Sequence, residues 1–294
     1  MIGNVLWLLM LFTCLPATMR SQTGADVSLP KVALNEVTYT KADSVLIERL
    51  LSDSLCTSPL DFGRRLVGIP YVGATLEVND REQLIVNTRQ LDCTTLVETA
   101  TVLALCRRWQ LTAFTDYVRV LTLIRYRDGR LTDYASRLHY FSDWIRDKQT
   151  MGLVSEVQQP NPPFTAEGRV SVSYMTTHPQ AYRALRLHPE LLPQIAQQEK
   201  DLSGLTFRYI PKAEVKNTAA LRKAVADGDI LAITCNKPGL DIAHVGIAAW
   251  HRDGLHLLNA SQLHKKVIEE PMTLGQYLSK HPSHTGIRVV RMKE

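Results

Sequence analysis

Three residues of this 294-residue chain have types and settings suited to covalent chemistry: Cys93, His244 and Asn259. Cys93 lies in Asp92-Cys93-Thr94-Thr95, ahead of Leu96, Val97, Ala100, Leu103 and Ala104. That apolar spacing predicts a helix with Asp92 as N-cap and Cys93 in its first turn. The free N–H groups and positive dipole end there favour a thiolate, lowering the thiol pKa, and could also receive an oxyanion. A thiolate nucleophile needs an imidazole beside it. His244 opens the apolar run His244-Val245-Gly246-Ile247, which reads as a strand with His244, Gly246 and Ala248 on one face. Asn259 falls on the next strand. With Asp253-Gly254 as a two-residue turn, Asn259 faces Ala248, on the His244 face but displaced along it. A bulge or a longer turn would bring them closer. An amide that orients the imidazole completes a Cys-His-Asn arrangement, with Gln262 the next candidate for that role. The plainer readings are a small residue at a helix start, a core histidine and a polar residue closing a strand.

A second group is Arg137, His139, Tyr140, Asp143 and Trp144. It reads either as an amphipathic turn, with Tyr140 and Trp144 in the core, or as a sugar-binding wall. In the second case aromatic faces stack on sugar rings while Arg and Asp bond hydroxyls or carboxylates. Of the 9 histidines, the compact pair His281 and His284 flanks Pro282 and reads as surface loop, and there is no H-E-x-x-H, so no metal is expected. No phosphate-binding glycine loop or dinucleotide fingerprint is present, so no cofactor is expected either.

The elements that must position these residues change along the chain. Helices are predicted over Ala42–Leu55, Leu60–Val67, from Asp92 to Arg108, and over Thr115–Arg125, with a short strand at Leu84–Val86. From Arg130 to Pro211 the chain carries Pro160, Pro162, Pro163, Pro179, Pro189 and Pro193, and reads as long loops and short helices of functional type. Strands follow at Leu205–Ile210, Asp229–Thr234, His244–Trp250, Leu255–Ala260, Lys266–Glu270 and Gly286–Arg291, with short helices at Leu221–Val225 and Leu274–Leu278. Helices first and an antiparallel sheet second make an α+β fold.

The composition is globular, 45% hydrophobic and 21% charged. A net charge of +5, with scattered basic residues, gives no case for a nucleic-acid partner. The apolar run Val5–Leu15 is too short to span a bilayer, and no later segment is long enough. It reads as a secretory signal, cleaved after Ala25 and leaving residues 26–294 as one domain; Cys14 is a weak lipidation site. Export to a periplasm or envelope would permit disulfides among Cys56, Cys93, Cys106 and Cys235, although Cys56, Cys106 and Cys235 sit in apolar sequence and read as small core residues.

Asp92-Cys93-Thr94-Thr95-Leu96-Val97-Glu98, Gly228-Asp229-Ile230 and His244-Val245-Gly246-Ile247 resemble the NlpC-type cysteine peptidases of bacterial cell walls. The resemblance implies a papain-like core, with Cys on a helix, His on the first strand of a hairpin and a polar residue on the next. Ile69-Pro70-Tyr71-Val72-Gly73 resembles the upstream motif of these enzymes, which would bring Tyr71 to the active site. The superfamily usually has Ser-Gly after its cysteine, and His as third member, where this chain has Thr94-Thr95 and Asn259. Those departures, with Pro70 to Glu77 and Arg137-Leu138-His139-Tyr140-Phe141-Ser142-Asp143-Trp144, resemble a narrower group, the N-acetylmuramoyl-L-alanine amidase-like family. The match covers about residues 45 to 290. It implies hydrolysis of the amide between N-acetylmuramic acid and L-alanine, with anhydromuropeptides as substrates and the stretch 130–210 shaping their site.

Two function classes follow. One is a thiol hydrolase, either this amidase or a γ-D-glutamyl–diaminopimelate endopeptidase on the same core. The other is a non-catalytic envelope-binding module, which would need none of Cys93, His244 or Asn259. Nothing in the sequence fixes an oligomeric state, and a monomer is the simplest expectation.

Overall fold

The computed structural model describes residues 28–293. The expected signal at 1–25, with Cys14, lies outside them. The fold is α+β, as the element order predicts. Helices α1 (Lys41–Ser52), α2 (Pro59–Arg65), α3 (Cys93–Arg108), α4 (Phe114–Arg125) and α5 (Phe141–Thr150) dominate the first half. Strands β1 (Val37–Thr38) and β2 (Leu84–Ile85) form a small parallel pair. The main sheet has 8 strands: β3 (Val154–Val157), β4 (Ala166–Arg169), β5 (Thr206–Pro211), β6 (Ile230–Cys235), β7 (Ile242–Trp250), β8 (Leu255–Ser261), β9 (Lys266–Glu269) and β10 (His284–Met292). Its order is β4-β5-β10-β6-β7-β8-β9, with β3 also paired to β10, and the pairings are antiparallel.

Helix α3 is the centre of the molecule. Every residue from Thr95 to Cys106 is buried. The sequence spacing suggested one apolar face, but α3 is enclosed by α1, α2 and α4 and by strands β7 and β8. Small residues make this possible: Ala100 and Ala104 let neighbours approach, and Thr99 and Thr101 are short enough to be enclosed. The long polar residue, Glu98, is paired. Its Oε2 accepts from Nε and Nη2 of Arg125 on α4 at 2.8 and 2.7 Å, and Nη1 of Arg125 donates to the Ile85 carbonyl. This buried ion pair ties α3 to α4 and β2.

The two faces of the sheet feed different cores. Val245, Ile247, Leu258 and Ala260 pack with the helices. Leu231, Ile233, Ala248 and Leu257 pack on the other side with Leu274, Leu278 and Phe164. The segment 130–210 is less irregular than its prolines suggest. It supplies α5, three sheet strands in part or whole, and the helix Leu192–Leu202. It also has its own apolar cluster of Tyr134, Tyr140, Val170, Val172, Met175, Leu185, Ile195 and Leu202. Among the described residues no helix is long and apolar enough to cross a membrane.

Candidate active site

Asp92 caps α3 as its sequence predicts. Its Oδ1 accepts from the Thr95 amide at 2.8 Å, and the Thr95 hydroxyl accepts from the Asp92 amide at 2.9 Å. This reciprocal box holds the first turn, and so the half-buried Cys93, in one conformation. The thiol makes only a long contact of 4.0 Å with the Thr94 hydroxyl within its own helix. Cys56, Cys93, Cys106 and Cys235 are free thiols. Cys56 and Cys106 are core residues; Cys235, at the end of β6, is half-buried.

His244 reaches Cys93 from the entry of β7. The β6–β7 ladder pairs Ile233 with His244 but Thr234 with Ile242, so Ala243 is an extra residue on β7. Such a register shift re-aims the neighbouring side chain, here at the point where His244 must meet the α3 terminus. Cys93 and His244 line the same cleft, close enough for the Cys93 charge to act on the imidazole. Burial disfavours the imidazolium, but the Cys93 thiolate, the Asn259 amide and the Glu270 carboxylate outweigh it, so the His244 pKa lies above the ordinary histidine value.

Asn259 meets His244 because the hairpin turn is longer than two residues. Trp250 pairs with Leu255, leaving His251 to Gly254 as a four-residue connection. The β7–β8 register, carried one step on, sets Asn259 opposite Gly246 rather than Ala248. The two strands approach so closely there that a Cβ on Gly246 would lie 2.7 Å from the Leu258 carbonyl oxygen. Nε2 of His244 then lies 3.0 Å from Oδ1 of Asn259. Nε2 is therefore the donor, and Nδ1 is the nitrogen left for Cys93. Gln262 is exposed in the β8–β9 turn and makes no such contact.

A cleft beside Cys93 and His244 is lined by Thr94, Leu138, His139, Tyr140, Phe141, Trp144, Met175, Tyr182 and Asp241 among others. Tyr71 is close enough to Cys93 and Asp92 that, after burial, their negative charge raises its phenol pKa. The predicted wall divides. His139, Tyr140 and Trp144 line this cleft; Arg137 and Asp143 do not. Arg137 is buried and pairs with Glu82 and Glu77, at 2.5 and 2.7 Å, pinning the 76–82 loop to the central segment at an adjoining cavity. Asp143 braces α5 through Arg127 and Arg146, at 2.5 and 3.0 Å. Both charges are spent inside the protein, which the one-dimensional spacing could not reveal.

Of the remaining three, Tyr140 and Trp144 are core residues, 7% and 1% exposed, as the amphipathic reading expects. Trp144 stacks on Phe141 with ring centroids 5.0 Å apart. The Tyr140 hydroxyl donates to Glu199 Oε1 at 2.6 Å, so its ring rather than its oxygen is available. His139 is neutral: burial and the Arg137 charge push its pKa down to about 3, and its Nε2–H donates to the Tyr134 carbonyl at 2.7 Å. Nδ1 of His139 is thus a fixed acceptor.

Around His244 the structure adds groups that sequence reasoning missed. Glu270 is buried and accepts from Asn259 Nδ2 at 3.1 Å. The β8–β9 ladder pairs Asn259 with Ile268, so Glu270 lies two residues further on the same face. That pairing was legible only if the turn between β8 and β9 had been placed. Tyr277 lies near Cys93 and Glu270; burial and their charges raise its pKa to about 12. His281 and His284, expected in a surface loop, stack with centroids 4.6 Å apart, and His284 is buried at the start of β10. Burial and the neighbouring His281 and His244 push the His284 pKa down to about 4. Among the described residues one group has ligand atoms close enough for a metal, His251 and Asp253 in the β7–β8 turn with His256 on β8. Their side chains are engaged with one another and with Glu269 and the Glu270 carbonyl.

Residues 61–287 match the family model described as AmiA-like, N-acetylmuramoyl-L-alanine amidase-like. The chain is similar to the crystal structure of an N-acetylmuramoyl-L-alanine amidase from Bacteroides uniformis, with 40% identity, a TM-score of 0.75, and 81% of this chain and 98% of that one covered. It is also similar to a proposed xylanase from Bacteroides fragilis, with 44% identity, a TM-score of 0.73, and 78% and 99% covered. A Legionella pneumophila protein at 22% identity shares the fold, with a TM-score of 0.68 over 86% and 95% of the two chains. No curated protein matches the chain.

Proposed function

The chain belongs to the N-acetylmuramoyl-L-alanine amidase-like family, and from that premise we propose that it hydrolyses the amide between N-acetylmuramic acid and L-alanine in peptidoglycan fragments, with Cys93 as nucleophile. The observation that carries this reading is a helix-terminal thiol and an imidazole on one cleft, the imidazole held through Nε2 by Asn259. A helix-borne Cys and a strand-borne His fit the papain-like core that the sequence resembles.

In this mechanism the Cys93 thiolate attacks the lactyl carbonyl, and the oxyanion faces N–H groups of the first α3 turn. The C–N bond then breaks as His244 gives its proton to the leaving L-alanine amine. Water adds to the thioester with His244 as base, releasing the muramic acid carboxylate and restoring the thiol. Asn259 keeps Nδ1 of His244 aimed at the sulfur throughout.

The cleft supports a sugar on one side of Cys93. The wall built from the 130–210 segment has Tyr182 and the largely buried Tyr140 and Phe141 beside the neutral acceptor of His139, with Trp144 enclosed in the core behind Phe141. Such a wall suits a sugar ring with an acyl substituent, and a closed end of the chain such as an anhydromuropeptide. An envelope substrate agrees with the export expected from residues 1–25. A xylanase reading finds less support. Glycoside hydrolysis ordinarily uses two carboxylic groups flanking the bond. The lining of this cleft has one, Asp241, whose Oδ2 accepts from the Ser142 amide at 2.6 Å.

Mass spectrometry of purified muropeptides after incubation tests the proposal. Free stem peptide and peptide-free sugar are the expected products. Muramyl-L-Ala-D-Glu as principal product would overturn it in favour of the endopeptidase, and an unchanged substrate pool in favour of a binding module.

A further inference from the structure

The Asn259 amide is constrained from the side away from His244. Its Nδ2 lies 3.1 Å from Glu270 Oε1 and 3.4 Å from the Leu257 carbonyl. Both are acceptors, so nitrogen must face them and oxygen must face His244. The Leu257 contact is long, which leaves Glu270 as the stronger lock. Glu270 is 3% exposed. Its second oxygen lies 3.5 Å from Nε2 of the more exposed His264, and no Lys or Arg among the described residues pairs with it. A buried carboxylate without a permanent cation costs stability that an apolar side chain would not. Such a group calls for a use.

We propose that Glu270 is a positioning residue for the thiol–imidazole pair: it locks the Asn259 amide with its oxygen toward His244, and its charge holds the His244 proton. The proposal rests on the reading of Cys93 and His244 as the reacting pair. The groups facing His244 are Cys93 at the start of α3, Asn259 on β8, Glu270 after β9 and His284 at the start of β10, with Tyr277 beside Cys93 and Glu270. Glu270 is the one carboxylate in that set. Tyr277 and His284 are neutral near pH 7 on the burial given above, and Asp241 on the cleft lining is held by the Ser142 amide, which leaves Glu270 as the carboxylate behind Asn259.

The test is the pH dependence of Cys93 alkylation by iodoacetamide in the full chain, with Cys93→Ala as background. It needs no substrate. Its upper inflection marks loss of the His244 proton. Glu270→Gln keeps the shape and an acceptor for Nδ2 but removes the charge, and should move that inflection down by about one pH unit. Glu270→Asp retains the charge and should hold the inflection near the parent value, whatever its effect on Tm. With muropeptide as substrate, Glu270→Gln should lower kcat about tenfold while KM stays put, since a pKa shift of about one unit in the acid–base group is a tenfold effect. An unmoved inflection in Glu270→Gln overturns the proposal. A moved inflection in a chain that releases no stem peptide upholds it and sinks the amidase reading instead.

Discussion

Nε2 of His244 and Oδ1 of Asn259 lie 3.0 Å apart across strands β7 and β8. In the proposed mechanism this one bond decides which imidazole nitrogen serves Cys93. Removing it leaves the imidazole chemically competent but free to rotate. His244→Ala should cost roughly a hundredfold or more in kcat, as loss of an acid–base group does. Asn259→Ala should cost clearly less, since it disturbs orientation alone. Steady-state kinetics of the two variants decide this, and an Asn259→Ala enzyme with parental kcat would remove Asn259 from the site.

Cys93→Ala should abolish turnover and leave the fold unchanged. The thiol has only its long contact with Thr94, and the Asp92–Thr95 box that starts α3 does not involve it. Thermal unfolding within a degree or two of the parent, with no product by mass spectrometry, is the expected pair of results. Parental activity would assign the nucleophile elsewhere.

The pH profile should extend further into alkali than a free histidine allows. The His244 pKa is raised, so its proton is kept to a higher pH and lost as the pH rises through that raised value. The proton needed by the leaving amine is thus present throughout the acid and neutral range. The alkaline limb of kcat/KM should fall above the ordinary histidine value of 6.5. A limb at or below that value would contradict the thiolate–imidazolium arrangement.

Glu98 and Arg125 provide a stability test away from the chemistry. Their side chains are 5% and 4% exposed, and either one left alone would be a buried, unpaired group. Glu98→Ala should destabilise the protein by about 3–5 kcal/mol, read as a lower urea midpoint. A change below about 1 kcal/mol would mean that water or the Ile85 carbonyl satisfies Arg125 unaided.

Local sequence determined a good deal of this protein. The Asp92 cap, the start of α3 at Cys93, the His244 and Asn259 strands and the α+β order are all short-range patterns, since caps and strand alternation act within a few residues. The tertiary structure decided what those patterns meet. Whether Asn259 reaches His244 depended on a four-residue turn and an extra residue at Ala243, and one step of register turns a side chain to the other face of the sheet. Arg137 and Asp143 read as ligand-binding charges until Glu77, Glu82, Arg127 and Arg146 were seen to hold them, because a salt bridge between distant residues leaves no local signal. Glu270 read as the end of a strand, and only the folded β8–β9 pair sets its carboxylate behind the Asn259 amide. Sequence specifies which groups are available; the pairing of strands and the burial of charge, which sum contacts over the whole chain, specify which of them remain free to react.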